Sequence, residues 1–188
     1  MTSTQKVFFA ISVAVATVTF VWFGTIFSSL PSTNAPATSD TIASFEECKN
    51  AGYLILESYP ARCKTPDGKT FVEDIGNELE KYNLIRTSSP RPNETVKSPL
   101  GIAGEARGYW FFEASFPAEL FDADGQIIGT GIMQAEGEWM TEEFVPYKGT
   151  IVFRVPAAKR GTLILKKDNP SGLPEHDDFL RIPVIFSE

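Results

Sequence analysis

Two cysteines, Cys48 and Cys63, are the most reactive side chains in this sequence of 188 residues. Their spacing is not the C-x-x-C of a redox thiol pair, and the single histidine, His176, lies far from both along the chain. Outside the cytoplasm such a pair forms a disulfide. We therefore expect a Cys48–Cys63 bond rather than a catalytic or redox thiol, with a stabilisation of about 3 kcal/mol in the chain-entropy model.

The ligands that metals prefer are scarce. One histidine and two cysteines are too few for a zinc or iron–sulfur site. Four acidic residues between positions 168 and 178 could offer calcium its oxygen ligands, but their spacing matches no standard calcium loop. They are Asp168, Glu175, Asp177 and Asp178. We expect solvated turn acids, no metal and no cofactor, and calcium binding by this loop stays an open alternative.

The sequence also offers no convincing catalytic constellation. Ser171 precedes Gly172, yet no G-x-S-x-G nucleophile motif surrounds it, so His176 is interpreted as a surface residue rather than a triad member. Glu142 and Glu143 are adjacent. Because neighbouring side chains on a strand point to opposite faces, they are a poor acid/base pair. We expect a protein that is not an enzyme.

An uncharged apolar run at residues 7–30 predicts where the protein is located. About 20 apolar residues suffice to span a bilayer, whereas signal-peptide cores are about 7–15 residues long. Lys6 precedes the run and no cation follows until Lys49, so residues 1–6 are predicted to be cytoplasmic and the rest extracytoplasmic. The alternatives are a signal peptide cleaved near Ala35-Pro36-Ala37 and a buried core helix. Residues 31–41, rich in Pro, Ser and Thr, are interpreted as a flexible spacer.

Residues 42–75 are predicted to form a small α+β module closed by the disulfide. Ser44 can cap a short helix that Gly52 ends. Three short strands follow, at 53–58, 62–65 and 69–73, the last two joined by a Pro-Asp-Gly turn. So few residues cannot sustain a core unaided, which is why the disulfide matters. Residues 76–82 are expected to be a linker.

Residues 83–188 alternate apolar and polar side chains with a period of two, the pattern of antiparallel sheet with one buried face. Seven strands are expected, at 84–88, 100–107, 109–121, 126–135, 151–155, 162–166 and 180–186. The turn between the third and fourth is Asp122-Ala123-Asp124-Gly125. The predicted fold is a seven-stranded antiparallel immunoglobulin-like sandwich. Pro183 is predicted to face outward at an edge or bulge.

Several short motifs of this domain occur in a recognisable order. They are Ser98-Pro99-Leu100, Gly104-Glu105-Ala106-Arg107-Gly108, Phe112-Glu113-Ala114, Leu120-Phe121-Asp122-Ala123-Asp124-Gly125 and Ile182-Pro183-Val184. Together they resemble the immunoglobulin-like domain first described in bacterial sporulation and germination proteins. The resemblance spans about residues 83–188 and implies a non-catalytic binding or assembly module at the bacterial envelope.

Strand alternation gathers three connections at one end of the sandwich: Gly108, residues 136–146 and residues 168–178. Loops at the end of a rigid sandwich often carry recognition. The candidate binding residues there are Trp139, Met140, Phe144, Leu173 and His176. In the alternative interpretation Trp139 and Phe144 cap the core or pack against the cysteine module, which is expected near this end because the first strand starts there.

The net charge of -7 argues against nucleic-acid binding. We expect a single-pass protein of the cell membrane, held by its N-terminal helix, that binds an envelope protein or glycan; its oligomeric state is not predicted. The alternative is a secreted inhibitor or enzyme accessory. In that case the cysteine module, whose rhythm resembles half of a Kazal-type inhibitor, would contact a protease through a protruding loop near Ala61–Arg62.

Overall fold

The computed structural model describes residues 41–187. The predicted cytoplasmic segment 1–6, the anchor 7–30 and nearly all of the spacer lie outside the described residues. Within 41–187, no helix has the length and apolar character needed to cross a membrane.

The predicted α+β module folds around its disulfide. Helix α1 (Phe45–Asn50) begins where the Ser44 hydroxyl accepts a hydrogen bond of 3.2 Å from the amide of Glu47. Strands β1 (Leu54–Leu56), β2 (Arg62–Lys64) and β3 (Thr70–Val72) form an antiparallel sheet in that order. The expected bond between Cys48 and Cys63 is confirmed; it joins α1 to the central strand, and both residues are fully buried.

Eight strands, not seven, build the C-terminal domain. They are β4 (Ile85–Ser89), β5 (Thr95–Val96), β6 (Leu100–Arg107), β7 (Ser115–Asp122), β8 (Ile127–Ala135), β9 (Phe144–Ile151), β10 (Arg160–Lys166) and β11 (Phe179–Phe186). Their order in the sheet is β4-β6-β9-β8-β7-β10-β11-β5. Only the β5–β11 pair is parallel. The immunoglobulin-like β-architecture is thus confirmed.

One sheet produces two layers because β8 changes partner near its end. This strand pairs with β7 from Ile127 to Gln134, but with β9 only at Gln134 and Ala135. The sheet therefore curls over at this point, and β4, β6 and β9 face the other strands across one apolar core. Trp110, Phe116 and Tyr147 are the bulkiest fully buried side chains in it. Phe116 meets Tyr147 edge-on, with ring centroids 4.9 Å apart.

Two predicted strands are wrong in their bounds. The strand expected from Tyr109 begins only at Ser115, because residues 108–110 form a 3₁₀ turn and Phe112–Ser115 a tight reversal. The strand expected at 151–155 is β9, which ends at Ile151. Beyond that residue the amide of Phe153 bonds to the hydroxyl of Ser98 instead of a strand, so the apolar alternation there reflects packing and not sheet pairing.

The segment 74–96 closes the outer edge of β11. Asn77, inside the predicted linker, pairs with that edge like a short strand. Its side-chain amide donates to the carbonyl of Phe179 (3.0 Å) and its side-chain oxygen accepts from the amide of Arg181 (2.6 Å). Residues 78–81 of the linker form helix α2 (Glu78–Lys81). A side chain on Gly76 would lie 1.8 Å from the carbonyl oxygen of Arg181, so only glycine permits this approach.

Pro183 lies on this same edge but is buried, contrary to its predicted outward position. Its carbonyl accepts from the amide of Asn93 at 2.7 Å, and the ring lies beside Gly76. A proline fits here because no strand pairs with this part of the edge; β5 pairs only with Ile185 and Phe186.

Two ion pairs fasten the module to the C-terminal domain. Arg181 binds the carboxylate of Asp74 through two nitrogens, at 2.8 and 3.2 Å. Arg160, at the start of β10, pairs with Glu46 of α1 at 3.2 Å and donates to the side-chain oxygen of Asn93. Because Arg160 opposes Ile185 in the sheet, α1 lies toward the end of β11. Asp74, at the other end of the module, binds Arg181 near the start of the same strand.

Replacing Asn77 tests the closure of the β11 edge. Asn77→Ala removes two hydrogen bonds and leaves two strand groups unpaired, so the free energy of unfolding should fall by about 2 kcal/mol. Denaturant unfolding of the full-length protein in detergent micelles measures it. Asn50→Ala, at the exposed end of α1, is the matched control and should change stability little. Equal losses in both variants would contradict the role given to Asn77.

The ion pair between Asp74 and Arg181 predicts a pH dependence. Hydrogen bonding to the Arg181 guanidinium holds the pKa of Asp74 below its ordinary value. A lowered folded pKa means that the stabilisation is complete above the unfolded pKa, about 3.9, and is lost as the pH falls through the folded pKa. Because Asp74 is largely exposed, we expect less than about 1 kcal/mol. Unfolding of wild type and Asp74→Asn should differ at neutral pH and converge near about pH 2; a pH-independent difference would contradict the assignment.

Candidate functional site

Three connections meet at one end of the sandwich, as the strand alternation predicts. The amide of Gly108 donates to the carbonyl of Glu143 (3.1 Å), and a side chain on Gly108 would collide with the backbone of Trp139 and Thr141. The amide of Asp168 donates to the carbonyl of Trp110 (3.0 Å). We call residues 108–115, 136–143 and 167–178 the tip. Backbone contacts hold these loops together, so their side chains are presented on a rigid support.

The predicted candidate residues occupy different environments at this end. Trp139 is half-buried and packs against the core, as the capping alternative predicted. Met140, beside it, is 74 % exposed and Leu173 is 48 % exposed. His176 is exposed. Phe144 is half-buried at the start of β9, where the guanidinium groups of Arg86 and Arg107 each lie 4.0 Å from its ring.

Two aromatic residues that were not predicted belong to the tip. Tyr109 and Phe112 are 49 % and 42 % exposed and line a groove of about 480 Å³, whose other wall is formed by residues 167–171 and His176. The alternation of residues 109–121 placed Phe112 on the buried face. That assignment fails because β7 begins at Ser115, three residues after Phe112, so the pattern in the sequence concealed this exposed ring.

The tight reversal at Phe112–Ser115 fixes the position of the Phe112 ring. The two end residues exchange backbone hydrogen bonds of 3.0 Å. The central residues, Glu113 and Ala114, have φ angles of 48° and 60°. Residues other than glycine are disfavoured in this left-handed region of backbone conformation. The turn therefore stores strain at the tip, a feature that is often found at binding sites.

A hydrogen-bonded cluster stiffens the opposite wall of the groove. The side-chain amide of Asn169 donates to the carbonyl of Leu173 (2.8 Å) and to the carboxylate of Asp177 (2.7 Å). The Ser171 hydroxyl lies 2.5 Å from the side-chain oxygen of Asn169 and 3.0 Å from Nδ1 of His176. Ser171 and His176 are thus engaged in hydrogen bonds that stabilise the conformation of this loop.

Two acidic residues of the 168–178 loop bind different partners. Asp178 forms an ion pair with Lys81 (2.5 Å) and accepts from the amide of Phe179. Asp177 is bound by Asn169. Within residues 41–187, no group of three or more His, Cys, Asp or Glu side chains could hold a metal ion.

A stack of arginine and aromatic side chains runs across the outside of the β4-β6-β9 layer. The guanidinium of Arg86 lies between the rings of Tyr82 (4.1 Å) and Phe144 (4.0 Å) and pairs with Glu105 at 3.0 Å. Arg107 covers Phe144 as well. Because two guanidinium groups cover its ring, Phe144 packs on the outer surface of the sheet and not among the loops of the tip.

Comparison with known proteins identifies the domain. Residues 84–172 match the family model described as the immunoglobulin-like domain of bacterial spore germination. The match runs from the start of β4 into the 168–178 loop, a little less than half of the chain, and it confirms the predicted resemblance. No curated protein and no solved structure matches the chain.

Replacing Ala114 by glycine tests whether the reversal at Phe112–Ser115 is strained. Ala114→Gly removes a left-handed alanine that costs about 1–2 kcal/mol, partly offset by the greater freedom of glycine in the unfolded chain, so a net gain of up to about 1 kcal/mol is expected. Thermal unfolding of the full-length protein measures it. Ala103→Gly, at a half-buried position in β6, should instead lower stability. A loss of similar size in both variants would show that the turn is not strained.

Proposed function

We propose that this protein, whose residues 84–172 match the immunoglobulin-like domain of bacterial spore germination, is a non-catalytic, membrane-anchored component of the bacterial envelope. Its tip binds another component of the envelope. Residues 7–30 hold the chain in the cell membrane, and the module and the domain lie outside the cytoplasm.

The exposed apolar side chains at the tip are the observation that carries the proposal. They are Tyr109, Phe112, Met140 and Leu173. Single exposed apolar residues are ordinary, but four of them on three connections, of which 108–115 contacts both of the others, form a surface typical of an interaction site. The backbone contacts that hold the loops mean that little ordering is needed on binding, which favours affinity.

The disulfide supports the extracytoplasmic location. Bonds of this kind persist in oxidising compartments and are rare in the cytosol. Cys48 and Cys63 are bonded and fully buried in the module that follows the apolar run. A run that spans the membrane with Lys6 on its cytoplasmic side would deliver this module to the oxidising side.

A protein surface is the favoured partner and an envelope glycan the second candidate. Glycan sites combine flat aromatic rings with free hydrogen-bonding groups. The rings of Tyr109 and Phe112 line the groove, but the polar atoms of Asn169 and Ser171 are engaged within the loop. Aliphatic side chains such as Met140 and Leu173 suit a protein partner, because flexible apolar groups fill irregular surfaces.

The inhibitor alternative has less support in the structure. It requires a protruding loop near Ala61–Arg62. Arg62 lies in the central strand β2, paired with Leu56 on one side and Val72 on the other. A residue held between two strands cannot enter a protease cleft as an exposed loop does.

Binding by the tip is tested with full-length protein in detergent micelles, incubated separately with purified peptidoglycan and with solubilised envelope membrane proteins. Phe112→Ser and Met140→Ser should each weaken saturable retention about tenfold, the effect of losing a central apolar contact. Ile127→Ser, an equally exposed apolar residue at the start of β8 and at the other end of the sandwich, is the matched control.

The material that retains the protein distinguishes the two partners, since peptidoglycan carries the glycan and the extract carries the proteins. Retention that is equal in all three variants would place the interaction away from the tip. Absence of saturable retention on both materials, with folded protein, would overturn the binding function.

A further inference from the structure

The outer face of the three-stranded sheet in the module combines aliphatic and cationic side chains. Its members alternate outward along the strands: Leu54 and Leu56 of β1, Arg62 and Lys64 of β2, and Thr70 and Val72 of β3. All six are exposed, Leu54 and Val72 by more than half. We call these six residues the module face.

The strand register gives this face a regular arrangement. Arg62 lies between Leu56 and Val72, and Lys64 lies between Leu54 and Thr70. The alternate positions face α1: Cys63 is bonded to the helix and Phe71 packs into the small core beside it. A row of two cations is thus flanked by aliphatic side chains, with no acidic residue on the three strands.

The positive charge and the exposed aliphatic side chains of the module face both need an explanation. The chain carries 24 acidic and 17 basic residues, so a face with two cations and no carboxylate is a local exception. Three exposed aliphatic side chains on one face of a sheet with an open edge at β1 are a liability unless something covers them. A partner surface with negative charge and an apolar interior matches both.

We propose that the module face lies on the anionic lipid surface of the membrane that carries the chain. Arg62 and Lys64 contact acidic headgroups, while Leu54, Leu56 and Val72 insert at the boundary with the acyl chains. The inference rests on the proposed membrane anchoring by residues 7–30.

The length of chain between the apolar run and the module supports this occupant. Residues 31–41 separate the two, and eleven residues span at most about 40 Å when fully extended. A surface held so close to the bilayer experiences an effective concentration of millimolar order. Two cations and three aliphatic side chains are a weak membrane-binding site in free solution, but such a tether makes them sufficient.

The test uses the full chain in lipid nanodiscs. Co-elution of the protein with the discs reports insertion of the anchor. Hydrogen exchange of the amides of residues 53–58 then reports cover of the module face. In discs that contain anionic phospholipid, we expect exchange about tenfold slower than in detergent micelles or in purely zwitterionic discs.

Charge reversal separates headgroup contact from other effects. Arg62→Glu combined with Lys64→Glu should abolish the protection in anionic discs. The control, Lys49→Glu combined with Lys97→Glu, changes the net charge equally but lies off the module face, and should retain it. Intact disulfide formation and unchanged thermal unfolding show that both variants are folded.

Each outcome decides a different point. If the chain does not co-elute with discs, the anchoring fails and the inference falls with it. If the chain inserts but residues 53–58 exchange equally fast in anionic discs, zwitterionic discs and micelles, anchoring stands and the lipid contact is overturned. Protection that is independent of lipid and grows with protein concentration would assign the face to a second copy, and also overturns it.

Discussion

The hydrogen bonding along the outer edge of β11 is the constraint on which the arrangement of the molecule depends. A strand at the margin of a sheet exposes unpaired amides and carbonyls, which invite pairing with other chains. Here Asn77 pairs with Phe179 and Arg181, Asn93 with Pro183, and β5 with the last residues of the strand. The segment 74–96 therefore completes the sheet edge, and its part at residues 76–82 is not a free linker.

This closure also fixes the module in place. Asp74 and Asn93 belong to the closing segment and bind Arg181 and Arg160, and Arg160 in turn reaches Glu46 of α1. Each contact is partly exposed and contributes little alone. Their common attachment to β11 and β10 makes them a network that joins the module to the sandwich.

Local and periodic features were predictable from sequence, and long-range contacts were not. The Ser44 cap, the disulfide and the alternation in β6 and β11 follow from neighbouring residues, so they were found. Asn77 bonds to a residue 104 positions away, and no local pattern reveals such a partner. The exposed ring of Phe112 was hidden because its apolar spacing continues that of β7, whereas the strained turn that displaces it depends on positive φ angles at Glu113 and Ala114. The binding role of the tip is a prediction still.

The two proposed surfaces, the module face and the tip, lie on different elements that both attach to β11. Arg160, which holds the module, opposes Ile185 at one end of β11, whereas the tip loop 167–178 enters the strand at Phe179. Eight residues of strand extend about 25 Å. The contact of Glu46 with Arg160 and the entry of the tip loop thus lie at opposite ends of β11, while Asp74 of the module reaches Arg181 near the tip loop. A protein held at the membrane by the module face would leave the separate surface formed by Tyr109, Phe112, Met140 and Leu173 to another envelope component.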